Sequence, residues 1–315
     1  MKSQLISKYF FIFLISLIVL SCKNDVDKPK DEKTSLDEPK VEISDGMLYN
    51  KVKSLDGTLK NFKRFLGTNP GLNIYAHINH KENADKVGME LGENQVFFFD
   101  NPRFSSPLIR ENPLVALEFP NRVAFCKKEN ESFVFSRSGE WIKQRYGLKF
   151  SPALQSYNNL AKTFIKQASM AEFAKEDSIK ITKHKGIESV KSTKDFKKTV
   201  AGIEKVLDEN QKIFKVVSLN FKEKAEEINI ALEPLHLFIF GNPEVGTQFM
   251  QKNPNFSIDL PLRILVRETP DGEVLVYYND MNFLAEIHNV EFDNDLPTKV
   301  NMIVQKIISD GTSTE

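Results

Sequence analysis

Asn101-Pro102-Arg103-Phe104-Ser105-Ser106-Pro107-Leu108-Ile109-Arg110-Glu111-Asn112-Pro113 is followed, 141 residues later, by Asn242-Pro243-Glu244-Val245-Gly246-Thr247-Gln248-Phe249-Met250-Gln251-Lys252-Asn253-Pro254. The correspondence continues without a gap, with Leu117-Glu118-Phe119-Pro120-Asn121-Arg122 facing Ile258-Asp259-Leu260-Pro261-Leu262-Arg263. Solenoid units recur every 20–50 residues or so, far less than this spacing. The chain therefore carries a duplicated domain, and each copy is long enough to build its own core.

The elements around each copy follow one order. Met47 to Lys53 alternates like a strand, and Leu55, Leu59, Phe62 and Leu66 have helical spacing. Leu72 to Asn79 alternates again, a short helix is expected over Asn83 to Leu91, and Gln95 to Asp100 reads as a buried strand. Ser106 to Glu111 reads as a helical turn. Arg122 to Lys127 and Ser132 to Arg137 form a hairpin, followed by helices at Glu140 to Tyr146 and Pro152 to Ala168. The second copy repeats the series, its hairpin closed by Pro270-Asp271-Gly272. These patterns predict an α+β fold in two repeated domains, each a mainly antiparallel curved sheet with helices on one face. The domains span residues 46–168 and 186–310, with a charged connector at 169–185. Phe97-Phe98-Phe99 places aromatic side chains on both faces of its strand, so burial is expected on both, under helices or against the other copy.

Apolar strand, Asn-Pro, a second Asn-Pro, Leu-Pro-Leu-Arg and a hairpin ending near Tyr-Asn-Asp together resemble the family known as domain of unknown function 302. The second copy carries the pattern most fully, in Leu237-Phe238-Ile239-Phe240-Gly241-Asn242-Pro243, Asp259-Leu260-Pro261-Leu262-Arg263 and Tyr278-Asn279-Asp280. The first copy keeps Asn101-Pro102, Pro120-Asn121-Arg122 and Asn79-His80-Lys81-Glu82-Asn83-Ala84, the last similar to the family's Asp-His-Ala-Ala-Ala segment. The resemblance implies a fold of the TATA-binding-protein-like class and brings no established catalytic residues. His80 gives way to Phe221 in the second copy, and Arg137-Ser138-Gly139 stands for Tyr278-Asn279-Asp280. A site needing both sets is therefore either shared between the copies or lost.

The N-terminus reads as an export signal over residues 1–21. Lys2 and Lys8 precede an apolar run from Tyr9 to Leu20, too short as a helix for a hydrocarbon core about 30 Å thick. Val19-Leu20-Ser21-Cys22 resembles the lipobox of bacterial lipoproteins, which implies lipid attachment at Cys22. The charged, proline-containing stretch at 22–45 reads as a disordered tether whose composition is similar to lipoproteins of the Bacteroidota. These features predict a cell-envelope protein held to an outer-membrane bilayer. Cleavage would leave 41 basic and 43 acidic groups, so no basic surface is expected and nucleic acid is not a predicted partner.

The candidate ligand-binding residues are His80, Arg122, Arg263, Tyr278 and Asn279, facing a small apolar or anionic ligand. Arg122 and Arg263 follow a proline at the start of a hairpin strand, which suits ion pairs with Glu118 and Asp259 or capture of an anion. His77 and His80 point to opposite faces of an extended strand, so no metal site is expected. Cys126 has no activating base nearby in sequence and reads as a strand residue. No cofactor motif occurs. The expectation is a non-enzymatic binding or interaction module made by two repeats packed as an intramolecular pseudo-dimer. The alternative is an envelope enzyme or sensor of small molecules with a cleft between the repeats. That alternative places His80 and Arg122 or Arg263 along the cleft and expects a concave pocket holding convergent polar groups.

Overall fold

The computed structural model describes residues 44, 46–172, 174–176 and 179–313. The export signal, Cys22 and, apart from Ser44, the tether at 22–45 lie outside the described residues.

The first copy runs β1 (Met47–Val52), α1 (Leu55–Gly67), β2 (Asn73–Asn79), α2 (His80–Lys86), β3 (Asn94–Asp100), α3 (Pro102–Glu111), a 3-10 turn at Pro113–Glu118, β4 (Asn121–Lys128), β5 (Glu131–Arg137), α4 (Gly139–Tyr146) and α5 (Pro152–Ser169). The connector adds a two-residue strand, β6 (Lys175–Glu176), antiparallel to β1. The second copy runs β7 (Ile187–Lys191), α6 (Phe196–Glu209), β8 (Phe214–Asn220), α7 (Phe221–Glu226), β9 (Leu235–Gly241), α8 (Pro243–Lys252), a 3-10 turn at Pro254–Ile258, β10 (Leu262–Glu268), β11 (Val274–Asn279), α9 (Met281–Ile287) and α10 (Leu296–Thr312). The sheets are ordered β2-β3-β4-β5-β1-β6 and β8-β9-β10-β11-β7, with antiparallel neighbours throughout. The fold is α+β, in two sheets of one topology.

Two elements differ from the sequence expectation for local reasons. Helix α2 begins at His80, not Asn83, because the Asn79 side chain accepts from the Glu82 amide (3.2 Å). It stops well short of Leu91: Gly88 sits at φ +72° and the Met89 amide turns back to the Ala84 carbonyl. Helix α3 starts four residues early, since Asn101 caps it and Pro102 occupies its first turn. Asn242-Pro243 does the same for α8. The second Asn-Pro of each copy has two duties. Asn112 and Asn253 cap the following 3-10 turn through Oδ1 and donate through Nδ2 to the Tyr146 carbonyl (2.7 Å) and the His288 carbonyl (2.8 Å).

The triple phenylalanine shows how each sheet is sandwiched. Phe97 and Phe99 lie under α1, their ring centroids 5.4 and 5.5 Å from that of Phe62. Phe98 faces the second copy, its ring centroid 5.5 Å from the Arg263 guanidinium. Helices α1 and α5 thus cover one face of the first sheet, and the second copy covers the other. Contacts across that inner face are reciprocal. Strand β4 meets the 254–258 turn while β10 meets the 113–118 turn; α2 meets α8 while α3 meets α7. Trp141 and Phe283, at matching places in α4 and α9, stack on each other with centroids 6.5 Å apart. Each ring sits over a glycine of the other elements of its own copy: a Cβ on Gly46 would come within 2.5 Å of Trp141, and one on Gly186 within 2.0 Å of Phe283. Both glycines also hold positive φ, which a side chain would resist.

Trp141 is the single tryptophan and lies where the copies meet, so its emission reports on their packing. Unfolding in urea should show tryptophan fluorescence and far-ultraviolet circular dichroism falling in one coincident transition. A fluorescence change that precedes the loss of secondary structure would mean that the copies separate before they unfold.

Candidate functional site

Two carboxylates are buried at the seam between the copies. Glu118 accepts from Arg122, from Arg145 Nη1 (3.0 Å), from the Tyr146 hydroxyl (2.9 Å) and from Trp141 Nε1 (3.2 Å). Asp259 of the second copy accepts from two arginines of the first, Arg122 (3.1 Å) and Arg137, and from His288 Nε2 (2.8 Å). Arg122 also donates to the Ile258 carbonyl (2.7 Å). Burial pushes the Glu118 carboxyl up, but Arg122, Arg145 and Arg137 outweigh it and hold the group at about 2. Burial likewise opposes ionisation of Asp259, yet Arg137, the His288 hydrogen bond and Arg122 hold it well below the usual carboxylate range.

His288 joins this seam to the N-terminal segment. Burial lowers its pKa, so the ring is neutral near pH 7. Facing a carboxylate, Nε2 must carry the proton, which leaves Nδ1 to accept from the Ser44 hydroxyl at 2.6 Å. Ser44, His288 and Asp259 thus form a serine–histidine–aspartate chain. It does not serve as a hydrolytic triad: Ser44 is 1% and His288 0% exposed, and Asp259 is committed to two arginines. Its effect is to fasten Ser44 to a residue 244 positions away. Sequence reading treats His288 as isolated, and no local pattern announces a pairing over that distance.

Arg263 is the exception in the seam. It is buried and matches Arg122 in the repeat, but none of its three guanidinium nitrogens has a hydrogen-bond partner. The expected pair with Asp259 is not made, because Asp259 is already taken by Arg122, Arg137 and His288. Burial, and then the charge of Arg122, lower the Arg263 pKa to about 9. Among the described residues the seam holds the guanidinium groups of Arg122, Arg137, Arg145 and Arg263 against the carboxylates of Glu118 and Asp259.

A cavity of about 620 Å³ opens beside the seam, within the usual range for small-molecule sites. Most of its wall comes from the second copy: Phe214 and Val216 of β8, Val245 and Met250 of α8, and Leu260 to Leu262. The first copy closes one side with α2, through His80, Asn83 and Lys86. His80 is buried, its Nε2 has no hydrogen-bond partner, and burial lowers its pKa to about 4, so it is a neutral ring in the wall. Bulkier or more polar residues stand at the matching places of the first copy. Tyr75 replaces Val216, Asp100 replaces Gly241, Phe104 replaces Val245 and Phe119 replaces Leu260, while the exchange runs the other way at Phe249 and Leu108. Asp100 there accepts from Ser105 and Asn121. Burial pushes its carboxyl up to about 7.

The remaining sequence candidates lie elsewhere. The Tyr278 hydroxyl accepts from Gln305 (2.8 Å) under α10, and Asn279 Oδ1 accepts from Arg145 (2.7 Å) at the seam. Strand register also shifts the expected alignment by one residue. Arg137 and Asn279 pair with Met47 and Ile187, so Ser138 and Asp280 correspond, and each caps its helix. The cause is a hairpin turn one residue longer in the second copy. His77 stacks on Phe97 and bonds Gln95 (2.9 Å), away from His80. Cys126 faces Asn255 of the other copy, and burial pushes its thiol up to about 12, far from a reactive thiolate.

The two matching arginines should respond oppositely to removal of charge. Arg122→Met leaves two buried carboxylates undercompensated and should cost about 3–5 kcal/mol, whereas Arg263→Met removes an unpaired cation and should be neutral or stabilising by about 1–3 kcal/mol. Urea unfolding at pH 7 measures both. Asp100 gives a pH signature. Between about pH 4 and 7 the folded chain keeps a proton that the unfolded chain has lost, so its contribution to stability falls as pH rises through that window. Asp100→Asn should therefore match the parent near pH 4 and exceed it by about 2–4 kcal/mol at pH 8.

Three comparisons bear on this architecture. The profile of the family described as domain of unknown function DUF302 matches residues 49–166 and 188–309. A fluoride-specific ion channel, FluC 1 of Brucella suis biovar 1, is 39% identical over 75 residues, which are 24% of this chain and 30% of that protein. FluC 2 of Brucella melitensis biotype 1 is 39% identical over 75 residues, 24% of this chain and 28% of its own length. The chain thus spans less than a third of these curated relatives. The crystal structure of an uncharacterized conserved DUF302 protein from Bacillus stearothermophilus is 14% identical, with 41% of this chain and 96% of that one covered at a TM-score of 0.34. With both sheets covered by the family's profile, the chain belongs to the domain of unknown function DUF302 family and carries two copies of it.

Proposed function

We propose that this protein is a non-enzymatic binding module of the bacterial cell envelope, tethered through a lipid on Cys22, that holds a small apolar molecule in the second copy. In this reading the two repeats act as an intramolecular pseudo-dimer, one copy supplying the cavity and the other its closing helix. The observation that carries the proposal is the cavity of about 620 Å³, walled mostly by apolar side chains, with Asn210, Asn242 and Thr247 among them, and closed by α2 with His80. Exposed apolar side chains at its edge, Phe214 and Ile303, suit entry of an apolar ligand. The channel activity named for the Brucella proteins is not part of the proposal. The likeness covers 75 residues, 24% of this chain and 30% of the Brucella suis protein.

Native mass spectrometry of the protein purified from its own host should reveal a retained apolar compound. Val245→Phe, which places the first copy's Phe104 in the second copy's wall, should abolish that retention without loss of fold. An empty parent protein that also fails to bind a hydrocarbon probe would refute the reading. Labelling cells with radioactive palmitate should mark the parent and leave Cys22→Ala unlabelled.

A further inference from the structure

We propose that the ligand is an anionic amphiphile: its apolar chain fills the cavity, and its carboxylate or phosphate stays at the opening, held by Lys86 of the first copy and Lys212 of the second. The inference rests on the proposed binding role of the cavity and adds the sign and the place of a charge on the ligand.

The charge that the wall offers is positive. Among the described residues that line the cavity none carries a carboxylate, and the ionisable ones are His80, Lys86 and Lys212. Burial keeps His80 neutral, so the positive charge comes from the two lysines. Both are exposed and both belong to the lining, which places them at the opening, where a flexible stem can carry the ammonium to a bound headgroup. Among the described residues neither makes an ion pair. The acids nearest them in sequence are engaged elsewhere: Asp85 with Lys81 (2.8 Å), Asp208 with Lys215 (2.7 Å) and Glu209 with Lys205 (3.9 Å).

The asparagines of the lining add donors to these cations. Asn83 Oδ1 accepts from Lys86 Nζ (3.5 Å), Asn210 Oδ1 from the Lys212 amide (3.0 Å) and Asn242 Oδ1 from the Glu244 amide (2.8 Å). With each oxygen committed within the chain, the group that each asparagine still offers is its NH2. All three are half-buried, open to solvent rather than sealed in the wall. Thr247 contributes a hydroxyl that can donate as well as accept. Two ammonium groups and three amide donors, with no acid among them, favour an oxyanion and oppose a cation. The apolar interior sets where that charge sits. An anion moved inward would lose its hydration and find no ionic partner, so the chain enters and the headgroup stays at the lysines.

The test displaces diphenylhexatriene, a fluorescent hydrocarbon, from the full mature chain with amphiphiles kept below their micelle concentrations. Dodecanoate, 1-dodecanol and dodecyltrimethylammonium share one chain and differ in the charge of the head; 1-lauroyl lysophosphatidate carries a phosphate instead. The double variant Lys86→Gln, Lys212→Gln should weaken the anionic probes by about three- to tenfold and leave 1-dodecanol and diphenylhexatriene unchanged. Lys86→Arg with Lys212→Arg should restore the anions, and Lys86→Glu with Lys212→Glu should turn the preference toward dodecyltrimethylammonium. The loss on Gln substitution should shrink as salt rises toward about 1 M, since both charges are exposed. A loss confined to dodecanoate assigns a free fatty acid, and one confined to the lysophosphatidate assigns a phospholipid head; either supports the shared chemistry. Displacement by all four probes with anion affinities equal in parent and Gln variant would overturn the inference while leaving the binding role intact. Failure of the parent to bind any probe would overturn both.

Discussion

Burial of Glu118 and Asp259 where the copies meet constrains everything around them. Each buried ion costs several kcal/mol unless it is compensated in place. Glu118 is compensated mainly within its own copy, by Arg122 and Arg145, whereas Asp259 draws on Arg122 and Arg137 of the other copy. Taken alone, the second copy would keep only the neutral His288 on its carboxylate. The first copy would leave Arg137 without its main acid. Apolar contact drives the copies together, and the buried charges fix how they fit, since Asp259 is compensated only where Arg122 and Arg137 of the other copy meet it.

Once the copies are bound to each other, their inner surfaces need not stay alike. A symmetric pair of identical domains would repeat any cavity twice or not at all. Here the first copy fills the relevant space with Tyr75, Phe104 and Phe119 and adds the Asp100–Ser105–Asn121 network, and the second keeps Val216, Val245, Gly241 and Gly246. The single imidazole in the cavity wall comes from the filled copy. The second copy walls most of the cavity and the first closes one side of it with α2.

The backbone was more legible in the sequence than the site. The repeated Asn-Pro pairs announced caps and turns because proline and asparagine act on their immediate neighbours, and the alternation around Phe98 announced a second covered face. Helix α2 starts three residues before the stretch that its apolar pattern marks, because the Asn79 side chain caps it. The hairpin alignment slipped by one because a turn length leaves no mark on either strand. Arg263 resembles Arg122 in every local respect, and only the prior claims of Arg122, Arg137 and His288 on Asp259 distinguish them. The Ser44–His288–Asp259 chain joins residues that have no sequence relation at all. Long-range pairing is a property of the assembled seam, which no window of sequence contains.

The seam and the cavity share one short segment. Asp259 and Arg263 belong to the seam, and the residues between them, Leu260, Pro261 and Leu262, line the cavity. Five consecutive residues thus carry an ionised anchor, an apolar wall and an unpaired cation, in that order. The wall cannot move far without moving the charges at its ends, and displacement of a buried carboxylate from its arginines is costly. A ligand that orders Leu260 to Leu262 also orders the backbone that presents Asp259 to the first copy. The ion pairs of Asp259 thus fix one edge of the cavity to the first copy, at the segment that supplies Leu260 to Leu262 of its wall.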